Sequence, residues 1–467
     1  MTHDVQNKTV TVIGAARSGL AVAKLLAARG ATVFLTERGE IDADARAALD
    51  AAGVTWEDGG HTERALDADF VAISPGVPTQ SDLVQQALGK GLAVYSEIEV
   101  ASWFCDAPIV AITGSNGKTT TTSLVAHVVR TAQRPLVVAG NIGTAFADRV
   151  GECEEGTTVV LEVSSFQLDH IDQFRPRVSV SLNVTPDHLD RYDHDFDQYA
   201  QSKFRIFENQ RAGDVLVYNH DDELVREHAE RAAARHGVAG YPFSIEHELD
   251  RGAFVRTGPD GCESIILRLT SSVADGNQNP MEEVLMPTHD LSLRGRHNLY
   301  NSLAAAISAR AMEISSDVVR ESLASFEGVP HRLEAVRDVS GVKYVNDSKA
   351  TNVNAVWYAL ESFDQPIVLI AGGRDKGNDY GPIKGLVRER CRGVVGLGES
   401  GDKVLRELGD LAKAAARADT MEEAIQFARL MAEPGDVVLL SPACASFDMY
   451  KNYEDRGDTF KRLVNGL

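Results

Sequence analysis

Three times along this chain an apolar run rich in β-branched residues feeds into a glycine-rich turn and then into a helical pattern. The openings are VTVIGAARSGLAVAKLLAARG from Val10, PIVAITGSNGKTTTTSLVAHVV from Pro108 and PIVLIAGGRDKGNDYG from Pro366. A strand that hands over to a crossover helix is the unit of a parallel sheet, so the pattern places the chain in the α/β class. The openings are too dissimilar to be repeats of one another, and each is expected to begin its own α/β unit. A length of 467 residues suggests about three domains by the usual domain size, which agrees with that count.

Punctuation between the units sets the expected boundaries. A strand-like LAVYS ends just before 97–106, and SFEGVPHRLE breaks a helical pattern with Gly and Pro at 328–332. The expected domains are therefore 1–100, 101–328 and 329–467. From about 241 to 290 the chain reads as strands and loops, and SSVADGNQNPMEE at 271–283 reads as a polar surface excursion.

Charge narrows the partners. Lys and Arg number 47 against 68 Asp and Glu, a net charge of −21, and such a surface repels phosphate backbones and anionic lipid at long range. No nucleic acid and no membrane partner is expected, whereas small phosphorylated ligands can still be bound locally by helix N-termini and a few placed cations. Hydrophobic residues at 43% and charged residues at 25% are ordinary for a globular chain. The five cysteines form no C-x-x-C pair, and no apolar run approaches the roughly 18 residues of a membrane helix. A cytoplasmic location is expected.

The strongest chemical signal is Thr113-Gly-Ser-Asn-Gly-Lys-Thr-Thr120 between a strand at 109–112 and a helix. Gly114, Ser115, Asn116 and Gly117 would curl around phosphate, Lys118 would reach the terminal phosphates and the Thr119 hydroxyl would hold magnesium, with Thr120 following on the helix. Ile112 stands where a strict Walker A loop has its first glycine. In the first unit Gly14 and Gly19 flank GAARSG, which lacks the middle glycine of the dinucleotide fingerprint. Glu37 at the end of the next strand keeps a nicotinamide dehydrogenase as a rival, although a solvated strand-end carboxylate is the simpler reading of that residue.

Further polar groups interrupt apolar strands or follow them. Glu162, within LEVSSFQ, is either a salt-bridge partner or a metal ligand. Asp187, His188 and Asp190 follow a strand at 178–182, the end at which open α/β sheets place their sites. Their position favours a functional His188 over a structural one. Lys203 falls on the apolar face of FDQYAQSKFRIF with Phe196, Tyr199, Ala200 and Phe207. Such a lysine snorkels, loses its proton or is chemically converted, and periodicity by itself favours snorkelling. In the third unit NDSKATN at 346–352, AGGRDK at 371–376 and SPACASF at 441–447 each follow a strand, so in a parallel sheet they converge on one rim.

Taken in order, TGSNGKTT, GNIG at 140–143, LEVSSFQLD, LNVTPDHLDRY, GRHNLYN at 295–301, PHRLE, NDSKATN and SPACASFD resemble the Mur ligase family across nearly the whole chain. Within it they are most similar to the branch that adds D-glutamate to UDP-N-acetylmuramoyl-L-alanine in peptidoglycan synthesis. The resemblance implies an N-terminal Rossmann-like domain for the uridine nucleotide, a central ATP-binding domain and a C-terminal Rossmann-like domain for the incoming amino acid. It implies a monomer that forms an acyl phosphate from ATP and then an amide. By position, Thr119 and Glu162 would bind one magnesium ion, and His188 with a Lys203 carbamylated by CO₂ would serve a second. Asn298, Asn301, Arg332 and Asp347 would join the phosphate loop on ATP. Ser18, Arg38, Ser74, Gly76, Asn141, Ser164, Gln167 and His188 would hold the UDP-muramoyl-alanine, and Lys349, Thr351, Lys376, Ser446 and Phe447 the D-glutamate. The chain carries no Asp-Asn-Pro-Arg motif of the diaminopimelate-adding branch, and the folate-specific relatives are not expected to carry a uridine-binding first unit. A non-catalytic nucleotide-binding regulator would be expected to have lost some of Lys118, Thr119, Glu162, His188 and Lys203, all of which are present.

Overall fold

Each of the three strand-turn-helix openings starts a separate sheet. The computed structural model describes residues 4–270, 280–375 and 377–467. Lys376 and most of the expected excursion therefore lie outside the described residues. The end of that excursion, 281–283, opens the strand Met281–Pro287, whose first four residues are exposed.

The first sheet is parallel, in the order Thr55–Glu57, Thr32–Thr36, Thr9–Ile13, Phe70–Ile73, Ala93–Ser96. Chain direction across the sheet reverses between Thr9–Ile13 and Phe70–Ile73, which makes their carboxyl ends the expected ligand crevice. Gly14 and Ser74 stand there. Gly14 has φ +97°, and a Cβ at Gly19 would overlap the Gly14 carbonyl oxygen. Both glycines are thus needed for the helix Arg17–Ala28 to approach the sheet. Glu37, expected to be solvated, is half-buried and accepts a hydrogen bond from the Ala15 amide at 2.7 Å. The strand-end carboxylate secures the glycine turn, because an amide at a helix entrance needs an acceptor.

The second sheet has nine strands. Its parallel part runs from Leu136–Gly140 through Thr158–Glu162, Ile109–Thr113, Val178–Ser181 and Val215–Asn219 to Ala239–Ser244 and Gly252–Thr257. Glu263–Leu269 and Met281–Pro287 extend it antiparallel. The third sheet has the order Glu334–Val339, Val342–Asn346, Val437–Leu440, Ile367–Gly372, Cys391–Leu397, Ala414–Ala418, antiparallel only at its first pair. The central strands are buried on both faces, which is why they read as continuous apolar runs rather than alternating ones.

By compactness the chain divides into two units, Met1–Leu291 with Leu299–Phe326, and Ser292–Asn298 with Glu327–Leu467. The first holds two sheets and the second holds the third. Within the first unit a single apolar cluster includes Val12 in the first sheet and Leu26 in the helix beside it, Trp103 and Phe146, and Leu161 in the second sheet. The segment 97–106 is accordingly no open linker, since its helix Glu97–Ser102 is almost wholly buried. Glu99 anchors it: the carboxylate accepts from the amides of Asp172 (2.9 Å), Gln173 (3.0 Å) and Phe174 (2.7 Å) and from Trp103 Nε1 at 2.7 Å. Among the described residues no helix is long and apolar enough to cross a membrane.

Removing that acceptor would strand two buried donors, the Phe174 amide and Trp103 Nε1, and two half-buried ones. Glu99→Ala is expected to destabilise the first unit by roughly 3 kcal/mol or more, at ~1–3 kcal/mol for each donor left unsatisfied. A urea-unfolding series should show the first transition moving to lower denaturant, with Glu99→Gln intermediate.

Candidate active site

Backbone geometry at the end of Ile109–Thr113 creates the centre of the site. Gly114 has φ +156° and Gly117 has φ +83°, and a Cβ on Gly117 would overlap the Asn301 side-chain oxygen. The helix Lys118–Thr131 begins at Gly117 without a side-chain cap. The opening turn of a helix leaves its first amides without intrahelical acceptors and carries the positive end of the helix dipole, which together favour a phosphate. Two amides of the loop are already committed. Ser115 N donates to the Asn183 carbonyl at 2.9 Å and Asn116 N to Asn183 Oδ1 at 2.8 Å, so Ser115 and Asn116 brace the loop through their amides, and the helix entrance offers the anion site.

Asn183 opens the stretch that carries His188, and the bracing is reciprocal. Asn183 Nδ2 donates to the Asn116 carbonyl at 3.1 Å, while Ser115 Oγ lies 2.8 Å from the Thr185 carbonyl and 2.9 Å from Tyr199 Oη. Phosphate loop and His188 loop thus form one hydrogen-bonded block. His188 itself has φ +52° and a side chain about half exposed.

Lys118 Nζ donates to the carbonyls of Gly114 at 2.7 Å and Ser115 at 2.9 Å. Lys203 Nζ donates to the same Gly114 carbonyl at 2.9 Å and lies 4.8 Å from the centre of the Tyr199 ring. Snorkelling, favoured from periodicity, is wrong: Lys203 is 2% exposed. The helix Phe196–Phe204 turns this face onto the phosphate loop rather than onto an edge from which a lysine could reach water. Burial pushes the Lys203 pKa well below the ordinary lysine value, the Lys118 charge adds to the fall, and Asp187, Glu162 and Asp169 oppose it.

Glu162 ends the strand Thr158–Glu162, in register with Ile112 on one side and Gly140 on the other. It is buried, as is Thr119. Its Oε1 accepts from Asn141 Nδ2 at 2.9 Å, and a Cβ on Gly140 would overlap its carbonyl oxygen. Ser164 and Gln167 are buried and engage each other, with Ser164 N and Oγ at 3.0 and 3.1 Å from Gln167 Oε1. Asn301 receives a hydrogen bond from Thr121 Oγ1 at 3.1 Å. In the first sheet Ser18 and Ser74 are buried while Arg38 and Gly76 are exposed; Ser74 Oγ is buried with no hydrogen-bond partner among the described residues.

In the second unit the three polar clusters do converge on one rim. Asp347 N donates to the Leu440 carbonyl, Ser441 Oγ to Asp347 Oδ2 at 2.7 Å, and Gly372 N to the Pro442 carbonyl. Burial pushes the Asp347 carboxyl up to about 6, against the pull of Arg332. Lys349 Nζ lies 5.3 Å from the centre of the Tyr453 ring, Thr351 is half-buried, Ser446 is buried and Phe447 is exposed. Asn298 is buried, with Nδ2 donating to the Arg294 carbonyl, and Arg332 Nε is buried without a partner among the described residues. Arg456, not singled out from sequence, is wholly buried and staples two of the clusters, donating to Ser348 Oγ, the Ser348 carbonyl and the Cys444 carbonyl.

Comparison with known proteins agrees with this geometry. Three family models match: the MurD N-terminal domain over residues 9–83, the Mur ligase middle domain over 112–309 and the Mur ligase glutamate ligase domain over 331–444. The chain is 63% identical over 473 residues to a UDP-N-acetylmuramoylalanine--D-glutamate ligase of Salinibacter ruber, covering all of both chains. It is 45% identical over 483 residues to a protein of the same name from Chloroherpeton thalassium, again over the whole of both. Among solved structures, UDP-N-acetylmuramate-alanine ligase MurC of Thermotoga maritima is similar in fold, with a TM-score of 0.60 at 18% identity over 98% of this chain and 100% of that one. MurF ligase of the same organism, in complex with ADP, gives 0.59 at 17% over 93% and 95%. Matched across all three sheets and over its full length, the chain belongs to the Mur ligase family.

Proposed function

We propose that this chain joins D-glutamate to UDP-N-acetylmuramoyl-L-alanine at the expense of ATP, acting as a cytoplasmic monomer in peptidoglycan precursor synthesis. The observation that carries this reading is the 63% identity spread over the whole of both chains. Buried Thr119, Glu162 and Lys203, with half-buried Lys118, support it. Segment 1–100 takes the uridine nucleotide, 101–328 the ATP and 329–467 the amino acid.

The residues present suit magnesium and a nucleotide triphosphate. Thr119 and Glu162 supply hard oxygen donors, the kind magnesium requires, beside an uncapped helix entrance whose glycine cradle a Cβ would fill. Magnesium, when bound there, supplies positive charge that lets a carboxylate approach the γ-phosphate. Lys118 adds a second counter-charge at the phosphate loop. The muramoyl-alanine carboxylate oxygen attacks the γ-phosphorus, the bond to the β-bridging oxygen breaks and ADP leaves. The D-glutamate amine then attacks the acyl carbon, phosphate departs and the amine gives up its proton as the amide forms.

We assign Asn141, Ser164, Gln167 and His188 to the muramoyl-alanine arm, and Ser18, Arg38, Ser74 and Gly76 to its uridine diphosphate. Ser74 Oγ, buried without a partner among the described residues, suits a phosphate oxygen. Asn301 contacts the nucleotide in the first unit; in the second, Asn298, Arg332 and Asp347 do so, and Lys349, Thr351, Lys376, Ser446 and Phe447 take D-glutamate. Lys203 would carry a carbamate: its uncharged amine bonds to CO₂, a proton is released, and the buried neutral amine becomes an anion that with His188 would hold a second magnesium. A buried amine beside another ammonium is costly as a cation, and this conversion removes the repulsion.

Phosphate release from ATP with UDP-N-acetylmuramoyl-L-alanine tests the assignment. It should depend on D-glutamate and not on L-glutamate or L-lysine; dependence on another amino acid, or no release with any, contradicts the reading. Gly117→Ala should lower kcat/KM for ATP by about 100-fold or more, on the scale of disturbing oriented donors at a charged centre. Lys203→Ala should lose about 1,000-fold or more in kcat by the same reasoning and regain activity with added short carboxylic acids, whereas unchanged activity in the variant would refute the carbamate.

A further inference from the structure

Arg191 takes no part in the chemistry above, yet it connects the two ends of the acceptor site. It closes the short turn Leu189–Arg191 directly after His188. Its guanidinium donates to three successive carbonyls of the loop that follows the strand Phe70–Ile73: Pro75 at 3.1 Å, Gly76 at 3.3 Å and Val77 at 3.1 Å. The same group lies 4.3 Å from the centre of the Phe166 ring. Phe166 in turn meets His188 edge-on at 5.2 Å and stacks on Tyr192 at 6.0 Å.

One planar side chain thus touches the loop assigned to the uridine diphosphate and the aromatic cluster that holds His188. Three donors in a fixed fork, with an aromatic face beneath, fix position in a way a flexible ammonium does not. The loop's far end is held independently, by Thr79 Oγ1 and His170 Nε2 at 2.8 Å, and its Val77 side chain packs on Gly14. The loop thus has attachments of its own besides Arg191. What Arg191 sets is the spacing between that loop and His188.

Resting on the function proposed above, we infer that Arg191 is a positioning residue that makes binding at the uridine end align the acyl carboxylate with the phosphate loop. The acceptor is long, and its nucleotide end is remote from the reacting carboxylate. Binding energy from such a remote part raises the rate only if the protein between the two ends is rigid. The Pro75–Gly76–Val77 carbonyls, Arg191, Phe166 and His188 form that rigid connection. Without it the nucleotide still binds, but the carboxylate is held loosely.

The test compares two acceptors, the full UDP-N-acetylmuramoyl-L-alanine and the same molecule lacking its uridine monophosphate, in wild type, Arg191→Ala and Arg191→Lys. For the full acceptor Arg191→Ala should lower kcat/KM about 100-fold, chiefly in kcat, the cost expected of misplacement by about an ångström. For the truncated acceptor the loss should stay within about 3-fold, because the remote binding energy is no longer there to transmit. Arg191→Lys, which keeps the charge but not the fork, should show the same selectivity at about 10-fold, and it decides the matter if the alanine variant does not fold. An equal loss on both acceptors, or no loss on the full one, overturns the inference. A wild type inactive on the full acceptor would instead overturn the proposed function.

Discussion

Two lysine amines meet at one carbonyl oxygen. Lys118 and Lys203 both donate to Gly114, one from the start of the phosphate-loop helix and the other from the buried face of Phe196–Phe204. Holding a buried amine beside an ammonium disfavours its charged form, so the arrangement has to be imposed by everything around it. Gly114 and Gly117 adopt backbone conformations that a Cβ would obstruct, Asn183 holds the amides of Ser115 and Asn116, and Ser115 ties the loop to Tyr199 one turn before Lys203. A site so constructed favours anions, and the triphosphate and the Lys203 carbamate proposed above would supply them.

The second unit solves a related problem with a different device. Its three strand-end clusters are polar segments at the rim of an apolar sheet, and each needs partners for its backbone. Arg456 supplies donors to Ser348 and Cys444, Asp347 accepts from Ser441, and the strand carbonyls at Leu440 and Ile370 receive the amides that follow. The segments 347–351 and 441–446 are therefore held by buried polar bonds together with the packing of Ala350 and Ala443 into the core.

Much of this was legible in the sequence, for identifiable reasons. Strands buried on both faces are uninterrupted apolar runs, so Ile109–Thr113 and Val437–Leu440 stood out to within a residue, and Gly114 after the first marked where the backbone must turn. The convergence of the three C-terminal clusters followed from parallel topology. Lys203 was misread because helical periodicity reports which face is apolar, not whether that face ends against solvent or against a phosphate loop. Glu37 was misread because its partner, the Ala15 amide, lies 22 positions away and no local pattern reports it. Arg191 and Arg456 were missed for the same reason: an arginine in a polar run looks solvated until the carbonyls that it caps are known. Asn183 carried a faint signal, as an amide side chain directly after a strand.

The carbamate proposed on Lys203 is the point on which this account of the site's electrostatics turns, and it can be tested directly. Protein equilibrated with ¹³C-bicarbonate near neutral pH should give a carbamate carbonyl resonance in the carbon NMR spectrum, matched by one added carboxyl in the intact mass under mild conditions, and both should vanish in Lys203→Arg. A spectrum without that resonance, from folded protein under saturating CO₂ and with magnesium and nucleotide present, would contradict the account.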